Sequence, residues 1–302
     1  MQEAYVDFHV HSSVSDGQFS CVELVKIAKS AGIQLLAITD HNRLSPDLNA
    51  LTREVGGGIT LVRGCEMSCI HVLSTGKRVE LHIVILNYRE DAPALSEIAA
   101  RNHSKDRRAY IQAILDRLAQ CGINIGSYDD LCAKYPCTSR PGRMSIASEL
   151  VQQGYVSSID EAFDEFLGAH GKRAAFVENP IQYVSLSDTV SAAIQDCAIP
   201  VLAHLFYYQS LTREEQEELV ATFHEMSGPA GAMEVEYGRY TREQRDFLRA
   251  MADRWSLAYS AGSDFHGQNK EEHLHHHFPL AIGQALLERQ RQVYGPRTPE
   301  LI

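Results

Sequence analysis

Histidine and carboxylate side chains recur in short clusters along this 302-residue chain, and their spacing suits metal-ion chemistry. His9 and His11 stand two residues apart in the apolar stretch YVDFHVH. Side chains at positions i and i+2 of a strand lie on the same face, so both imidazoles can bind one ion. Asp16 follows in a glycine-containing turn, where stabilising the turn is its alternative role. The two histidines are therefore the first candidates for a metal site.

The other candidates stand inside or directly after apolar stretches of the sequence. Asp40 and His41 follow LLAIT, although Asp40 could instead cap the loop that begins there. Glu66 ends the stretch TLVRGC, and a carboxylate buried there needs a partner because an unpaired buried charge is costly. Four further members complete the set: His82, His204, Asp264 and His266.

This combination of side chains indicates the kind of ion and the kind of reaction. Imidazole together with carboxylate suits Mn, Fe or Zn better than Ca or Mg alone. The candidate ligands exceed the needs of one ion, which predicts two or three divalent ions that share a bridging carboxylate. Two ions about 3.5–4 Å apart can activate a water molecule and stabilise the displaced oxygen of a phosphoester. The residues therefore predict a metal-dependent phosphoesterase.

Short apolar strands that alternate with amphipathic helices must position these side chains. That alternation favours a mostly parallel α/β fold, in which polar residues at the carboxyl ends of the strands form the site. The sequence also has capping boxes that predict helix starts, at Ser20 with Glu23, Thr212 with Glu215 and Thr241 with Gln244. The predicted strands are Val6–His11, Leu35–Thr39, Thr60–Glu66, Leu81–Leu86, Val201–His204, Ala232–Val235 and Leu257–Ala261.

Residues 93–177 interrupt this rhythm, since they contain helical patterns but no convincing strand. Ile111 and Ile114, for example, have the spacing of one helix face. The strand rhythm resumes afterwards. The sequence therefore predicts a barrel formed by residues 1–92 and 178–302, with a helical insertion at residues 93–177 that covers the substrate.

Composition narrows the cellular setting and the class of partner. Lys and Arg number 28 and Asp and Glu 39, so the formal net charge of −11 argues against a grip on long nucleic acid, but not against a local basic pocket. No apolar run approaches the roughly 18 residues that span a bilayer, and the N-terminus lacks a secretory signal pattern. Seven cysteines without a CxxC pair fit reduced thiols. We therefore expect a cytoplasmic protein with no membrane partner.

The same clusters resemble the motifs of the polymerase and histidinol phosphatase (PHP) superfamily. HVHSSVSDG, ITDHN, GCEMS, LHIV, VLAHL and GSDFHG occur in the family's order and span nearly the whole chain. The chain looks similar to stand-alone phosphoesterases with a helical insertion, a group that includes a nucleotide 3′,5′-bisphosphate phosphatase and an RNA 5′-end exonuclease. The resemblance implies a distorted seven-stranded (β/α) TIM-like barrel with a trinuclear metal centre, in which a metal-bridging hydroxide attacks phosphorus.

The resemblance also implies a distribution of ligands among the ions, with Glu66 as the bridge. Asp40 is a catalytic candidate, because the resemblance implies that it orients a ligand or the attacking water without binding an ion itself. The implied sets are His9, His11, Glu66 and Asp264 for one ion, Glu66, His82 and His204 for a second, and Asp16, His41 and His266 for the third.

Two positions depart from the family pattern. Gly142 stands where the family often has the histidine of an RPH motif, which leaves the choice of substrate open, and Leu205 stands where the family favours proline. Arg140 and Arg143 are candidates for gripping the substrate phosphate, because the arginine fork matches phosphate oxygens. Arg143 is also a catalytic candidate, and Lys172 is a further candidate for substrate binding. Loop anchoring and surface salt bridges are the alternative roles of these basic residues.

The predicted substrate is a small nucleotide-like phosphate ester, such as a nucleoside 3′,5′-bisphosphate or a short 5′-phosphorylated oligonucleotide. Histidinol phosphate is an alternative, because the metal ligands would be the same. A non-catalytic metal-binding module is an alternative of another class, although the intact set of candidate ligands counts against it. An amidohydrolase is a further alternative, but that chemistry usually uses a carboxylated lysine, and no lysine stands at a predicted strand end.

Overall fold

Seven strands form one sheet whose spatial order follows the chain. The computed structural model describes residues 4–103, 107–135, 141–168, 172, 174–177, 183–267, 274 and 276–296. The strands are β1 Tyr5–Val10, β2 Ile33–Ile38, β3 Thr60–Val72, β4 Arg78–Leu86, β5 Ile199–Leu202, β6 Ala232–Tyr237 and β7 Ala258–Gly262. Each predicted strand is present, and β3 and β4 extend furthest beyond the predicted bounds because they continue into a hairpin.

Hydrogen bonds just beyond the end of β7 bring the two edges of the sheet together. Asp264 N–H donates to His9 O at 2.8 Å. His11 N–H donates to Phe265 O at 2.9 Å. The sheet therefore closes almost completely, and the predicted α/β barrel of seven strands is confirmed.

Strand β4 runs opposite to the other strands. The pairings among β1, β2 and β3 and among β5, β6 and β7 are parallel, whereas β4 pairs antiparallel with both β3 and β5. The pairing of β4 with β5 begins at Ile83, opposite Leu202, where β5 ends. Because β4 is reversed, the start of its barrel segment lies at the barrel end where β5 finishes. His82 and His204 therefore reach the same end of the barrel from opposite chain directions.

Helices connect most of the strands. They are α1 Cys21–Ser30, α2 Leu48–Val55, α3 Pro93–His103, α8 Leu186–Gln195, α9 Arg213–Ser227, α10 Arg242–Arg254 and α11 Leu280–Tyr294, with α4 to α7 lying between α3 and α8. The three predicted capping boxes are confirmed: Ser20, Thr212 and Thr241 each accept a hydrogen bond from the backbone three residues on. In the described part of the chain, no helix has both the length and the apolar character needed to cross a membrane.

The helices between α3 and α8 surround an apolar cluster of their own. They are α4 Arg107–Gln120, α5 Tyr128–Lys134, α6 Arg143–Gln152 and α7 Ile159–Ala162, which continues as a π-helical turn over Phe163–Leu167. Ile111, Ile114 and Leu150 lie in this cluster. Leu95 of α3 instead lies in a separate apolar cluster that includes Ile83 of β4. The division of the chain at residues 92 and 178 stays a prediction.

Candidate metal centre

Glu66 lies at the centre of the clustered histidines and is fully buried. Its Oε1 is 2.9 Å from His82 Nδ1, 3.0 Å from His204 Nε2 and 3.3 Å from His9 Nε2. Its Oε2 is 2.8 Å from His41 Nδ1 and 3.3 Å from His11 Nε2. One carboxylate from β3 thus faces imidazoles that come from β1, β4 and the loops after β1, β2 and β5.

Asp264 and Asp16 add two further carboxylates beside the same histidines. Asp264 Oδ1 is 3.1 Å from His11 Nε2 and 3.5 Å from His9 Nε2. His266 Nε2 is 3.4 Å from Asp16 Oδ1. His41 Nε2 is 3.6 Å from Asp16 Oδ2. The structure therefore brings together all nine side chains that the sequence predicted as ligands.

The arrangement fits metal ions better than a network of hydrogen bonds. Four sets place their ligand atoms within 4.8 Å of one another: His11, Asp16, His41 and His266; His9, His11 and Asp264; His9, Glu66 and His204; His41, Glu66 and His82. Ligand atoms bound about 2.0–2.2 Å from one ion lie roughly 3.0–3.5 Å from one another. Many of the nitrogen–oxygen distances given above fall in this range. These sets divide the ligands somewhat differently from the sets implied by the resemblance, so that distribution stays a prediction.

Unpaired buried atoms make the same point. Among the described residues, several polar atoms of this cluster are buried without a well-aligned hydrogen bond, although some lie close to another ring or carboxylate: His9 Nε2, both ring nitrogens of His11, His41 Nδ1, Glu66 Oε2 and His204 Nδ1. Within the same part of the chain, no lysine or arginine forms an ion pair with Glu66, Asp16 or Asp264. Buried carboxylates without a fixed cation favour the binding of mobile ones, and divalent metal ions meet that need.

Attraction between histidines and carboxylates outweighs the effect of burial at several members of the metal-free cluster. Burial alone would raise the pKa of Glu66, but His82, His41 and His9 hold that pKa well below its usual range. Burial alone would lower the pKa of His9, but the nearby carboxylates, Glu66 foremost, raise it well above its usual value. The pKa of His41 is raised for the same reason. The cluster therefore holds protons where metal ions would otherwise bind.

The cluster has a closed side and an open side. The side chains of His9, His11 and Glu66 are at most 1% exposed. Those of His41 and His82 are 23% and 26% exposed, and that of Asp16 is 20% exposed. Among the described residues, these partly exposed side chains mark the side from which a substrate can approach.

Asp40 supports the loop that carries Asp16. Its Oδ1 accepts from Ser12 N–H at 2.9 Å and from Ser15 Oγ at 2.5 Å, and its Oδ2 accepts from Ser12 Oγ at 2.6 Å. Both carboxylate oxygens are thus occupied by the loop, and Asp40 belongs to none of the four ligand sets. These contacts are those of a positioning group, and a direct catalytic role for Asp40 stays a prediction.

The basic candidates for substrate binding occupy different settings. Arg140 lies outside the described residues. Arg143 begins α6, and its guanidinium lies 5.9 Å from the centre of the Phe163 ring. Burial lowers the pKa of Arg143, but Tyr110, Glu80 and Tyr207 outweigh that effect and raise it.

Lys172 lies at the surface of the insertion. Its side chain is 76% exposed, and its ammonium is 2.8 Å from Glu165 Oε1. Its pKa is raised by the hydrogen bond with Glu165. Lys172 therefore has the contacts of a surface ion pair, which was its alternative role.

Sequence reasoning did not predict two polar contacts beside the cluster, those of Glu234 and of Tyr237. Glu234 on β6 contacts His9 Nδ1 at 2.9 Å and accepts from His204 N–H at 2.8 Å. Tyr237 Oη donates to Asp264 Oδ2 at 2.9 Å. The signal available was the pair of glutamates in AMEVEY, which is costly in a buried strand unless each has a partner.

Asp7 is a further buried carboxylate that the sequence analysis did not select. It accepts from His9 N–H at 3.1 Å and from Ser263 N–H at 3.0 Å. Burial raises the pKa of Asp7 to about 7. Asp7 thus fixes the backbone at the point where β1 meets the loop after β7.

Comparisons with known proteins agree with this geometry. The model of the PHP domain family matches residues 7–261. The chain is 30% identical over 262 residues to a 5′-3′ exoribonuclease of Haemophilus influenzae, covering 86% of this chain and 89% of that protein. It is 29% identical over 269 residues to a 3′,5′-nucleoside bisphosphate phosphatase of Chromobacterium violaceum, covering 87% of both.

A solved structure supports the same fold. A protein from Bifidobacterium adolescentis assigned as a metal-dependent phosphoesterase superposes with a TM-score of 0.75 at 25% identity, covering 96% of this chain and 97% of that one. The predicted class of enzyme, a hydrolase of phosphoester bonds, is confirmed by these relatives. With a family match over most of its length and every predicted ligand gathered at one barrel end, the chain belongs to the PHP domain family.

Proposed function

We propose that this protein uses two or three divalent ions, Mn, Fe or Zn, to hydrolyse a terminal phosphate ester of a small nucleotide. The observation that carries the proposal is the position of Glu66, whose two oxygens face five imidazoles within 3.3 Å. One carboxylate with ligands on both sides suits a bridge between ions. When bound, the ions would acidify a water molecule and stabilise negative charge on the phosphoester oxygens.

The chain's own residues would hold the substrate on the open side of the centre. Tyr207 is 60% exposed, and its ring centre is 5.6 Å from that of His204. An exposed aromatic ring beside a phosphoester site can stack on a nucleobase. Arg143 lies close enough to Tyr207 and Glu80 for both to raise its pKa. The guanidinium is therefore near the ring of Tyr207, and its fork could bind a second phosphate group. This pairing of ring and charge favours a nucleotide that carries more than one phosphate.

The insertion at residues 93–177 is proposed to cover this open side and to limit the size of the substrate. Asp160 Oδ1 of α7 is 3.6 Å from Arg239 Nη2, which follows β6 at the metal end of the barrel. The insertion therefore contacts the barrel at the end where the clustered histidines and carboxylates lie. A covered site would admit a short strand end but not the middle of a long strand, in agreement with the net charge of −11.

The test is phosphate release by the metal-stripped protein after reconstitution with Mn²⁺. The substrates are adenosine 3′,5′-bisphosphate, a 5′-phosphorylated dinucleotide, histidinol phosphate and p-nitrophenyl phosphate. We expect the bisphosphate to be preferred, because it supplies a base for Tyr207 and a second phosphate for Arg143. Preference for histidinol phosphate would contradict the proposed substrate class, and bound Mn²⁺ without turnover on any substrate would favour a non-catalytic module.

Trimming of short RNA from its 5′ end is the second candidate, because a relative with 30% identity is named a 5′-3′ exoribonuclease. The salt dependence of the Michaelis constant separates the two, since each phosphate contact steepens it. If a dinucleotide binds like the bisphosphate, the Michaelis constants of the two substrates should depend on salt concentration to a similar degree. An RNA-binding channel would give a longer oligonucleotide a steeper salt dependence. Amidohydrolase chemistry with a carboxylated lysine is not supported, because none of the seven strands contains a lysine.

A further inference from the structure

Glu234 connects two of the candidate metal ligands from behind. It lies on β6 and is 2% exposed. Its Oε1 is 2.9 Å from His9 Nδ1, and its Oε2 accepts from the backbone N–H of His204 at 2.8 Å. One carboxylate therefore holds a ring from β1 and a backbone segment from the end of β5.

The contact with His9 determines which ring nitrogen faces the cluster. A carboxylate only accepts, so His9 Nδ1 must carry the proton that this hydrogen bond requires. His9 Nε2 is then free of a proton in the neutral ring, and this atom faces Glu66 Oε1 at 3.3 Å and Asp264 Oδ1 at 3.5 Å. The hydrogen bond thus keeps the proton on Nδ1 and leaves Nε2 as the nitrogen at which an ion could replace a proton.

The contact with His204 holds a strained backbone conformation. His204 has a φ of 29°, a region that residues with a Cβ rarely adopt. Such conformations persist when surrounding contacts impose them, and the hydrogen bond from His204 N–H to Glu234 is one such contact. The conformation directs the His204 ring toward Glu66, 3.0 Å away.

The fold makes room for this carboxylate at two points. Gly262 lies against it, and a Cβ at that position would collide with His9 and lie 2.5 Å from Glu234 Oε1. A register shift in the β6–β7 pairing falls between Glu234 and Glu236. Residues two apart in a regular strand share a face, so this irregularity separates the two carboxylates. Glu236 instead pairs with Arg245 and Arg249 of α10.

From this geometry we propose that Glu234 is a positioning residue that prepares His9 and His204 for metal binding without binding an ion itself. This role of Glu234 rests on the proposed function only in requiring that the cluster binds divalent ions. Turnover is not needed to test it.

The first experiment compares the full-length wild-type protein with Glu234→Gln and with the matched control Glu236→Gln. Each is stripped of metal and titrated with Mn²⁺ in a calorimeter, after circular dichroism has verified folding. A glutamine keeps the size of the side chain but can accept through one atom only, so it cannot serve both His9 Nδ1–H and His204 N–H.

We expect the affinity of Glu234→Gln for Mn²⁺ to fall about 10–100-fold, as is typical when such an outer carboxylate is removed. The affinity of Glu236→Gln should stay close to that of the wild type. Equal affinity and stoichiometry in wild type and Glu234→Gln would overturn the proposal. Failure of the wild type to bind Mn²⁺ would instead count against the proposed function.

A second measurement needs no variant at position 234 and holds even if that variant does not fold. The wild type is labelled with ¹⁵N-histidine, loaded with Zn²⁺ and examined by NMR, and the His9 signals are assigned by their loss in His9→Gln. We expect the proton of His9 on Nδ1 and a metal-shifted Nε2. A proton on Nε2 of His9 would overturn the proposal.

Discussion

The side-chain amide of Asn102 donates to Oδ1 of Asn42 at 2.7 Å, which joins the last turn of α3 to the residue after His41. The same amide donates to Ser68 O at 2.9 Å, and its carbonyl oxygen accepts from Val184 N–H at 3.1 Å. The chain leaves the barrel directly after α3 and has returned to it at Val184. One buried asparagine thus holds both ends of the intervening segment against the loop that carries His41.

Asn102→Ala should therefore destabilise the protein. The substitution leaves the backbone groups of Ser68 and Val184 without this hydrogen-bond partner. Each buried polar group left unsatisfied lowers the free energy of unfolding by about 1–3 kcal/mol. Urea unfolding followed by circular dichroism measures the loss in the free energy of unfolding.

Asn124→Ala is the matched control, because Asn124 is exposed and its side chain accepts a local hydrogen bond from Gly126 N–H instead of joining distant segments. A surface substitution of this kind usually changes stability by no more than about 0.5 kcal/mol. A loss for Asn102→Ala as small as that of the control would show that the asparagine does not join these segments.

Glu66→Gln should lower both the number of bound metal ions and the activity. The amide keeps the shape of the side chain but loses the charge that five imidazoles face. We expect fewer bound Mn²⁺ ions per chain by elemental analysis, and a fall of at least about 100-fold in phosphate release, since metal activation of water supplies several kcal/mol.

The control for that variant is Glu97→Gln, which removes an exposed carboxylate of α3. It should bind metal and release phosphate like the wild type. Full activity in Glu66→Gln would contradict the role of Glu66 as a bridge between ions.

The sequence sufficed to predict the strands, and to select the nine side chains that the structure brings together, because both leave local signals. Each strand is a short apolar run between helices with recognisable caps, and the ligands interrupt or follow those runs. His82 was recognisable as an interruption in its strand, but the reason for its position was not, because the reversal of β4 depends on its pairing with β3 and β5.

Glu234 could not be assigned from the sequence for a similar physical reason. Regular alternation places Glu234 and Glu236 on one face of β6, whereas the register shift sends one toward His9 and the other toward α10. The partners of Asp40 were equally hidden, since Ser12 and Ser15 approach it only after β1 and β2 have paired. Contacts that depend on pairing between distant segments carry no local pattern.

Arg143→Ala should raise the Michaelis constant for adenosine 3′,5′-bisphosphate more than it lowers kcat. The loss of a charge-assisted hydrogen bond to phosphate is worth about 1.5–3 kcal/mol, which corresponds to roughly 10–100-fold in binding. The same substitution should leave p-nitrophenyl phosphate, which has one phosphate, nearly unaffected. Steady-state kinetics on both substrates measure the difference.

Lys172→Ala is the matched control, because Lys172 is 76% exposed and paired with Glu165. Its kinetic constants should equal those of the wild type. If Lys172→Ala raises the Michaelis constant and Arg143→Ala does not, the assignment of the phosphate-binding residue is wrong.

Metal binding should release protons, and the number released should fall as the pH rises. In the metal-free protein the pKa values of His9 and His41 lie above the ordinary histidine value because Glu66 and other carboxylates are near. The protons on these two imidazoles are thus fully present below about pH 6.5, and they are lost as the pH rises through the raised pKa values of the two histidines. Glu66 and Asp264 have lowered pKa values, stay ionised at neutral pH and release none.

Ions and protons therefore compete for the same imidazole nitrogens, and the apparent affinity for Mn²⁺ should increase with pH. Calorimetric titrations at pH 6, 7 and 8, each in two buffers with different ionisation enthalpies, give the number of protons released per bound ion. The expected result is a positive number at pH 6 that declines as the pH rises through the raised pKa values of His9 and His41. Binding without proton release at pH 6 would mean that His9 and His41 are already neutral there. The nearby carboxylates would then not keep these imidazoles protonated in the metal-free site.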